Sequence, residues 1–368
     1  ELLVAVLVFS SALLFLRATD GPRLAALPYA GALAAFAAAL LSKEHAVVLP
    51  GVVVLGELLR RGAGEPLPAR LRRKALPFAG LLVPLAAFAA FRALFVGSGI
   101  VGAREAFSDL DNPLAPLPGP LRAANALILL LRYVAQTFVP LGLSADHSAH
   151  ALDLVSSLSD PRALAGLAGA ALLVASGLAS VRRSPLVALG GGLFLGAFLP
   201  TSNLLFPIGT IYADRLAYLP SAGLLAAAAG AVASASPFSA AFRRALLATA
   251  LAAFAGATAA RNEVFRDDET LFADMVAKVP RSARARYCLA FEAWERGETL
   301  RAGRSLRKAV AIFPRYYDAW RLLGLVADRE GRTAEARAAI REALRIRVDD
   351  ERSYLALARI EEAAGRSG

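Results

Sequence analysis

Residues 201–221 read TSNLLFPIGTIYADRLAYLPS and join two long apolar runs, Leu186–Phe206 and Leu216–Ala233. An acid and a base, Asp214 and Arg215, stand side by side within them, among Asn203, Pro207, Gly209, Tyr212, Tyr218 and Pro220. A hydrophobic chain has little reason to keep that cluster between apolar runs unless something polar is handled at a membrane surface. Reading the flanking runs as membrane spans sets the fold expected here, an all-α polytopic bundle.

The composition agrees. Of 368 residues, 57% are hydrophobic and only 19% charged, against about 25% charged in a soluble domain. Mean hydropathy is +0.52. Net charge is +11, but the basic residues sit beside apolar runs, a pattern of membrane orientation rather than nucleic-acid binding. The single cysteine, Cys288, excludes an internal disulfide. The chain opens at Glu1 without an initiator Met, and its end, GRSG, falls partway through a repeat. We expect a fragment of a longer protein.

A spanning helix needs about 20 mostly apolar residues. The candidates are Leu2–Leu16, Leu24–Leu41, Ala46–Leu59, Ala75–Val96, Ala163–Val181, Leu186–Phe206, Leu216–Ala233 and Ala245–Ala260. Leu121–Leu143 is ambiguous, because Arg132 interrupts it and Pro140 ends it. Arg60, Arg61, Arg70, Arg72, Arg73 and Lys74 make the loop after Leu59 the most basic, hence cytoplasmic. Arg17/Arg23, Arg182/Arg183 and Arg243/Arg244 fit the same alternating path. Ser42–His45, Gly97–Pro120, Ser144–Pro161 and Thr201–Asp214 then share the other face with the tail. The path closes only if Leu121–Leu143 does not cross completely. Gly190, Gly191, Gly192 and Gly196 offer small surfaces where helices can approach closely.

After Arg261 apolar residues take helical spacing and recur with a period of 34. Leu289, Leu323 and Leu357 keep that interval, as do Gly297, Gly331 and Gly365, and Arg286, Trp320 and Tyr354. Trp320, Leu323, Gly324, Ala336 and Ala343 fit the tetratricopeptide pattern. We expect a transmembrane domain at 1–260, a connecting, capping helix at 261–280, and at 281–368 an α-solenoid of two full repeats and part of a third, with Trp320 and Tyr354 packed inside.

Three clusters carry chemistry. Lys43, beside Glu44, suits a lipid phosphate, or is a turn residue snorkelling to headgroups. Arg215 suits bidentate phosphate binding with Asp214 holding its fork, and Tyr218 on the same face; the alternative is a structural ion pair at a helix end. Asp146, His147 and His150 have ligand chemistry but no fourth partner, so a divalent metal lacks support, and a capping loop fits as well. No G-x-G-x-x-G, Walker A or H-E-x-x-H motif occurs.

LSKEHAVVLP (41–50), PTSNLLFPIGTIYADRLAYLPS (200–221) and RNEVFRDDETLFADMVAKVPRSARA (261–285) occur in that order before the repeats. In this the chain resembles the transmembrane and tetratricopeptide-repeat-containing protein O-mannosyltransferases and their bacterial relatives, themselves similar to C-type membrane glycosyltransferases. The resemblance implies sugar transfer from a polyprenyl-phosphate donor to a protein hydroxyl on the non-cytoplasmic face. It gives Lys43 and Arg215 as donor-phosphate cations. Glu44, Asp214, Asn203 and Tyr218 from the same motifs, and Asp146 and His147 from the 144–150 cluster, are expected in support. It also implies a catalytic acid upstream of Glu1, an acceptor held by the repeats, and a bilayer setting without nucleic acid. The expected location is a bacterial inner membrane with the repeats periplasmic, or the endoplasmic reticulum in a eukaryote. The rival class is a non-catalytic membrane-anchored adaptor whose repeats bind other proteins.

Overall fold

The structure, a computed structural model, describes residues 1–60, 65–96, 108–234 and 239–366. Arg61 and residues 97–107 of the loop expected at 97–120 lie outside the described residues. Every regular element among the described residues is helical. In chain order the membrane part holds α1 (Leu2–Thr19), α2 (Ala26–Ser42), α3 (Leu49–Leu59), α4 (Leu67–Gly80), α5 (Leu82–Phe91), α6 (Gly119–Phe138), α7 (Pro161–Ser180), α8 (Pro185–Phe198), α9 (Tyr218–Ser234) and α10 (Ala240–Val264). Among the described residues, five stretches are long and apolar enough to cross a membrane: Leu2–Thr19, Leu67–Phe95, Pro161–Ser180, Asp214–Ser234 and Ala240–Val264. Ala26–Ser42 and Pro185–Thr201 are shorter apolar helices. The chain is an integral membrane protein.

Two expected spans are redrawn. Ala46–Leu59 is a 3-10 turn, Glu44–Val48, followed by the 11-residue α3, too short to cross alone. Leu186–Phe206 is helical only to Phe198, with a 3-10 turn at Leu199–Thr201; its remainder belongs to the loop before α9. The stretch Leu67–Phe95 is interrupted near Leu81, after Pro77. Leu81 turns its N–H to Phe78 O (3.1 Å), leaving the Pro77 carbonyl without its helical donor, and the Tyr29 hydroxyl donates to it (3.0 Å).

The helix ends sort into two sets. At one, the basic end, Lys74 Nζ lies 2.9 Å from Glu57 and 3.2 Å from Asp20, and Arg70 Nε lies 2.5 Å from Glu57. Arg70 and Lys74, expected in an open loop, belong to α4 and are buried with Glu57. A buried charge persists only when paired, and this cluster ties α1, α3 and α4 together. Ser234 Oγ donates to Ser184 Oγ (3.0 Å), joining the end of α9 to the start of α8. The opposite, site end holds Glu1, Lys43 and the loops 108–118, 139–160 and 202–213.

α6 starts and finishes at the site end. Near its start Asn125 exchanges two hydrogen bonds with Val155 (3.0 and 2.9 Å), and near its finish the Tyr133 hydroxyl exchanges two with Ala213 (3.1 and 3.2 Å). Leu121–Leu143 therefore does not cross. α8 and α9 cross at two of their glycines, so tightly that a Cβ at Gly190 would lie 2.4 Å from Gly223 O. Gly192 faces Leu55, whereas Gly191 and Gly196 meet nothing closer than 4.0 Å. α10 buries none of its residues within the chain and leads to the repeats.

Those are α11 (Asp268–Lys278), then the pairs α12 (Ala283–Glu295) with α13 (Thr299–Ile312) and α14 (Tyr317–Arg329) with α15 (Thr333–Ile346), then α16 (Glu351–Arg366). Ala302, Ala309, Ala336 and Ala343 are each 0% exposed, the condition for close crossing of paired helices. Gly297 and Gly331 turn the chain between partners with φ of +79° and +72°, which a side chain would strain. Gly365 lies inside α16 instead. Trp320 is half-buried and Tyr354 is 53% exposed, so the expectation that both pack inside fails for Tyr354. No later helix among the described residues covers it.

Candidate functional site

After α8 the chain forms a loop pinned by one side chain. Asn203 takes a positive φ of +61°, which Asn tolerates better than most residues. Its Oδ1 accepts from Asn112 Nδ2 (2.8 Å) and Ile208 N–H (2.9 Å), and its Nδ2 donates to Thr210 O (3.1 Å). Ile211 N–H donates to Asp111 O (3.2 Å). Asn203 is thus buried and spent on shaping the loop.

The loop delivers Tyr212 into the core. Its ring stacks on Tyr133 at 4.2 Å, and the edge contact with His147 is 4.8 Å between centroids. Its hydroxyl donates to Gln136, and the Arg132 guanidinium lies 5.0 Å over its ring. Next comes Asp214, the first residue of a 3-10 turn, Asp214–Ala217, that leads into α9. Asp214 Oδ2 accepts from Ser144 N–H (3.0 Å), and Oδ1 lies 3.2 Å from His147 Nε2. The contact calls for the Nε2–H tautomer, which leaves Nδ1 buried without a partner. The expected Asp214–Arg215 clasp is absent among the described residues. The carboxylate is turned to the 144–150 loop, and Arg215 stands exposed with no ion pair there. Nor does Tyr218 share the Asp214 corner. It is 45% exposed and lines a groove of about 550 Å³ with Leu2, Val6 and Phe9 of α1.

A second corner lies at the start of α1. Lys43 pairs with Glu1 (3.5 Å), and His45 Nε2 lies 3.1 Å from the other Glu1 oxygen. Glu44 pairs with Arg92. The expected Lys43–Glu44 pairing is therefore replaced by two pairings across helices. Side chains on consecutive residues leave a turn in different directions. Lys43 and Arg215 share no partner among the described residues.

Asp146 faces the repeats. Its Oδ2 accepts from Ser148 N–H (3.1 Å), Ser148 Oγ (2.7 Å) and Ser282 Oγ (2.7 Å). Ser282 caps α12 by accepting from Ala285 N–H (2.9 Å). Around this link Arg284 pairs with Asp111, Arg281 meets Asp153 (3.3 Å) and Arg315 meets Asp109 (3.6 Å). Leu110 and Ala149 join the apolar core of the repeats. Asp146 and His147 thus point to opposite sides of one loop, and His150 packs toward Phe313. Among the described residues no three metal-ligating side chains meet.

Sequence reasoning did not single out Glu1, His45, Arg92, Asn112 or Ser282 for the site end. Glu1 is 42 positions from Lys43, and nothing in the sequence pairs them. For Arg132 the signal was present, a charge inside an apolar run, but it served only to place a helix.

The fold and this site end define a class: a multispanning, all-helical membrane protein with tetratricopeptide repeats seated on its interhelical loops. Comparison with known proteins narrows it. The profile described as "Protein O-mannosyl-transferase TMTC, DUF1736" matches residues 102–174, and a tetratricopeptide-repeat profile matches 293–360. Protein O-mannosyl-transferase TMTC1 of Mus musculus is 29% identical over 233 residues, 61% of this chain and 25% of its own length. The Homo sapiens TMTC1 is 27% identical over 259 residues, 64% and 29% respectively. Mus musculus TMTC3 is 35% identical over 121 residues, 32% and 13%. The chain spans less than a third of each of these relatives. It is a distant homologue of the TMTC protein O-mannosyl-transferases.

Proposed function

We propose that the chain is part of a membrane glycosyltransferase that moves a sugar, mannose by the names of its relatives, from a polyprenyl-phosphate donor to a protein hydroxyl. In such a transfer the hydroxyl oxygen bonds to the anomeric carbon as the bond from that carbon to the phosphate oxygen breaks, and the hydroxyl proton passes to a base. The phosphate leaves with the electron pair and gains charge, so cations that touch it lower the barrier. Arg215 and Lys43 are the proposed cations, with the catalytic base unassigned. Residues 1–260 form the proposed transferase part, 261–280 a capping connection, and 281–368 the repeats that hold the acceptor. In the proposed orientation the basic end is cytoplasmic. The site end then faces the periplasm of a bacterium, or the lumen of the endoplasmic reticulum in a eukaryote.

The observation that carries this reading is the 144–150 loop. His147 and Ser144 occupy both oxygens of Asp214, leaving the neighbouring Arg215 free for an anion, while Asp146 fastens the same loop to the first repeat. An acceptor on the repeats would thus be held beside the cation. The test is sugar transfer in proteoliposomes. Arg215→Ala should slow the chemical step about 10²–10³-fold, by analogy with loss of one oxyanion donor. Arg215→Lys should restore part, since the charge returns without the planar fork. Wild-type transfer by Arg215→Ala would end the proposal.

A further inference from the structure

Arg132 is a half-buried guanidinium in α6, with Leu129 and Leu130 before it and Tyr133 after it buried in the bundle. It makes no ion pair among the described residues; its contacts there are the face of the Tyr212 ring, 5.0 Å from Cζ, and the Tyr212 hydroxyl. A cation–π contact returns only about 0.5–2 kcal/mol, while removing a charge from water costs several. Such a side chain is normally paired, and here the neighbouring carboxylate is already spent. Asp214 gives one oxygen to Ser144 and the other to His147. Gln136, one turn beyond Arg132, has its Oε1 taken by the Tyr212 hydroxyl, so its N–H donors are what it has left to offer. The Tyr133 hydroxyl bonds Ala213, the residue before Asp214 and Arg215, and its ring stacks on Tyr212, which carries Arg132 on its face. The corner therefore carries two guanidinium groups against one committed carboxylate, an excess of positive charge that favours an anion.

We propose that Arg132 is a further cation of the donor site and binds, together with Arg215, a phosphate group at the head of a polyisoprenoid lipid. The identity of the lipid rests on the sugar-transfer reading above; the anion site rests on the geometry. In this arrangement the stacked Tyr133–Tyr212 pair fixes where Arg132 sits, and His147 keeps Asp214 from neutralising Arg215. Lys43, by contrast, already meets the carboxylate of Glu1.

The test is equilibrium binding of a C55 polyprenyl phosphate, and separately of the matching polyprenol, to the protein in lipid nanodiscs. Bulk phosphatidylglycerol serves as the competing source of phosphate. Arg132→Met keeps an apolar stem over Tyr212 and removes the charge; Arg132→Lys keeps the charge. Arg132→Met and Arg215→Met should each weaken polyprenyl phosphate about 10- to 100-fold, the range for one charged hydrogen bond, and leave polyprenol binding unchanged. Arg132→Lys should recover part of the loss. Phosphatidylglycerol in excess should not displace the polyprenyl phosphate. Wild-type affinity in Arg132→Met beside a loss in Arg215→Met would overturn the role of Arg132 and leave the sugar-transfer reading standing. Equal weakening of phosphate and alcohol would make Arg132 a packing residue, with the same consequence. Displacement by phosphatidylglycerol would overturn the lipid assignment. No preference for phosphate over alcohol in the wild type would sink the donor site along with Arg132.

Discussion

The bond between Ser282 and Asp146 should hold the repeats to the membrane bundle, and its strength follows from the geometry. Asp146 is 7% exposed and uses one oxygen for three hydrogen bonds, of which only the one from Ser282 Oγ, at 2.7 Å, crosses to the repeats. A hydrogen bond to a charged group contributes about 1.5–3 kcal/mol. Ser282→Ala loses that bond and also the α12 cap, worth about 1 kcal/mol, so it should cost about 2–4 kcal/mol. Asp146→Ala should cost at least as much: the two hydroxyls it strands lie 3.3 Å apart and can satisfy each other, but it also strands the Ser148 N–H and removes a contact with Arg284 at 3.9 Å. Asp146→Asn should cost about half as much, since an amide oxygen can replace Oδ2 without its charge. The decisive measurement is a double-mutant cycle of Asp146→Ala and Ser282→Ala, read by native-state hydrogen exchange of the α12 amides in detergent micelles. The coupling energy should be about 1.5–3 kcal/mol. Additivity within about 0.5 kcal/mol would mean that the contact carries no energy and that the repeats are held by other means.

Three further outcomes follow from the geometry. Gly190→Ala should lower thermal stability by about 1–3 kcal/mol, because its Cβ would overlap Gly223 O, whereas Gly191→Ala, with nothing nearer than 4.0 Å, should be close to neutral; equal melting temperatures would contradict the crossing. Leu306→Ala, fully buried in the repeats, should cost about 2–5 kcal/mol, and Tyr354→Ala far less; hydrogen exchange of α13 to α16 reads both, and the reverse order would discredit the packing. The bond from Ser353 to Asp350, with help from the Tyr317 hydroxyl, holds the Asp350 carboxyl at about 2, below its ordinary 3.8. A depressed folded value stabilises above the unfolded pKa and is lost as pH falls through the folded one, so α16 exchange should rise between about pH 4 and pH 2. Asp350→Asn should flatten that rise, and an unchanged profile would assign it elsewhere.

The repeats were the most legible part of the sequence, because a 34-residue period converts directly into repeated contacts. The bond from Arg286 Nη2 to Pro280 O (2.7 Å) recurs as Trp320 Nε1 to Pro314 O (2.8 Å). The apolar runs were legible as helices for a similar reason, but their ends were not: Ala46–Leu59 opens with a 3-10 turn and Leu186–Phe206 stops being α-helical at Phe198. The polar clusters were not, because sequence adjacency fixes position without direction. Asp214 and Arg215 are neighbours in the chain, yet the partner of Asp214 is 67 residues away at His147. Likewise Lys43 reaches Glu1 on another helix, while Glu44 reaches Arg92. Asn203 was legible as a polar residue at a loop, but its role depends on a positive φ and on Asn112, neither of which the local pattern displays.

The contact between Asp146 and Ser282 also decides the parity of the chain. Glu1 begins at the site end, and the segments α1, α2, the 3-10 turn at Glu44–Val48 together with α3, and α4–α5 alternate between ends, as the bonds of Asp20, Glu57 and Lys74 at one end and of Glu1 with Lys43 at the other require. After α6, the helices α7, α8, α9 and α10 form a second even-numbered set, with Ser184 and Ser234 meeting at the basic end. Two even sets return the chain to the site end only if α6 contributes no crossing. Had α6 crossed, the 144–150 loop would lie at the opposite end from Asp111, and Ala149 N–H could not donate to Leu110 O at 2.7 Å. Arg132 supplies the physical reason. A guanidinium in the last third of α6 is costly at the centre of a bilayer and is accommodated here against the Tyr212 ring, beside the 202–213 loop. The charge that makes α6 a poor span thus also brings the repeats, the 144–150 loop and Arg215 to one end of the molecule.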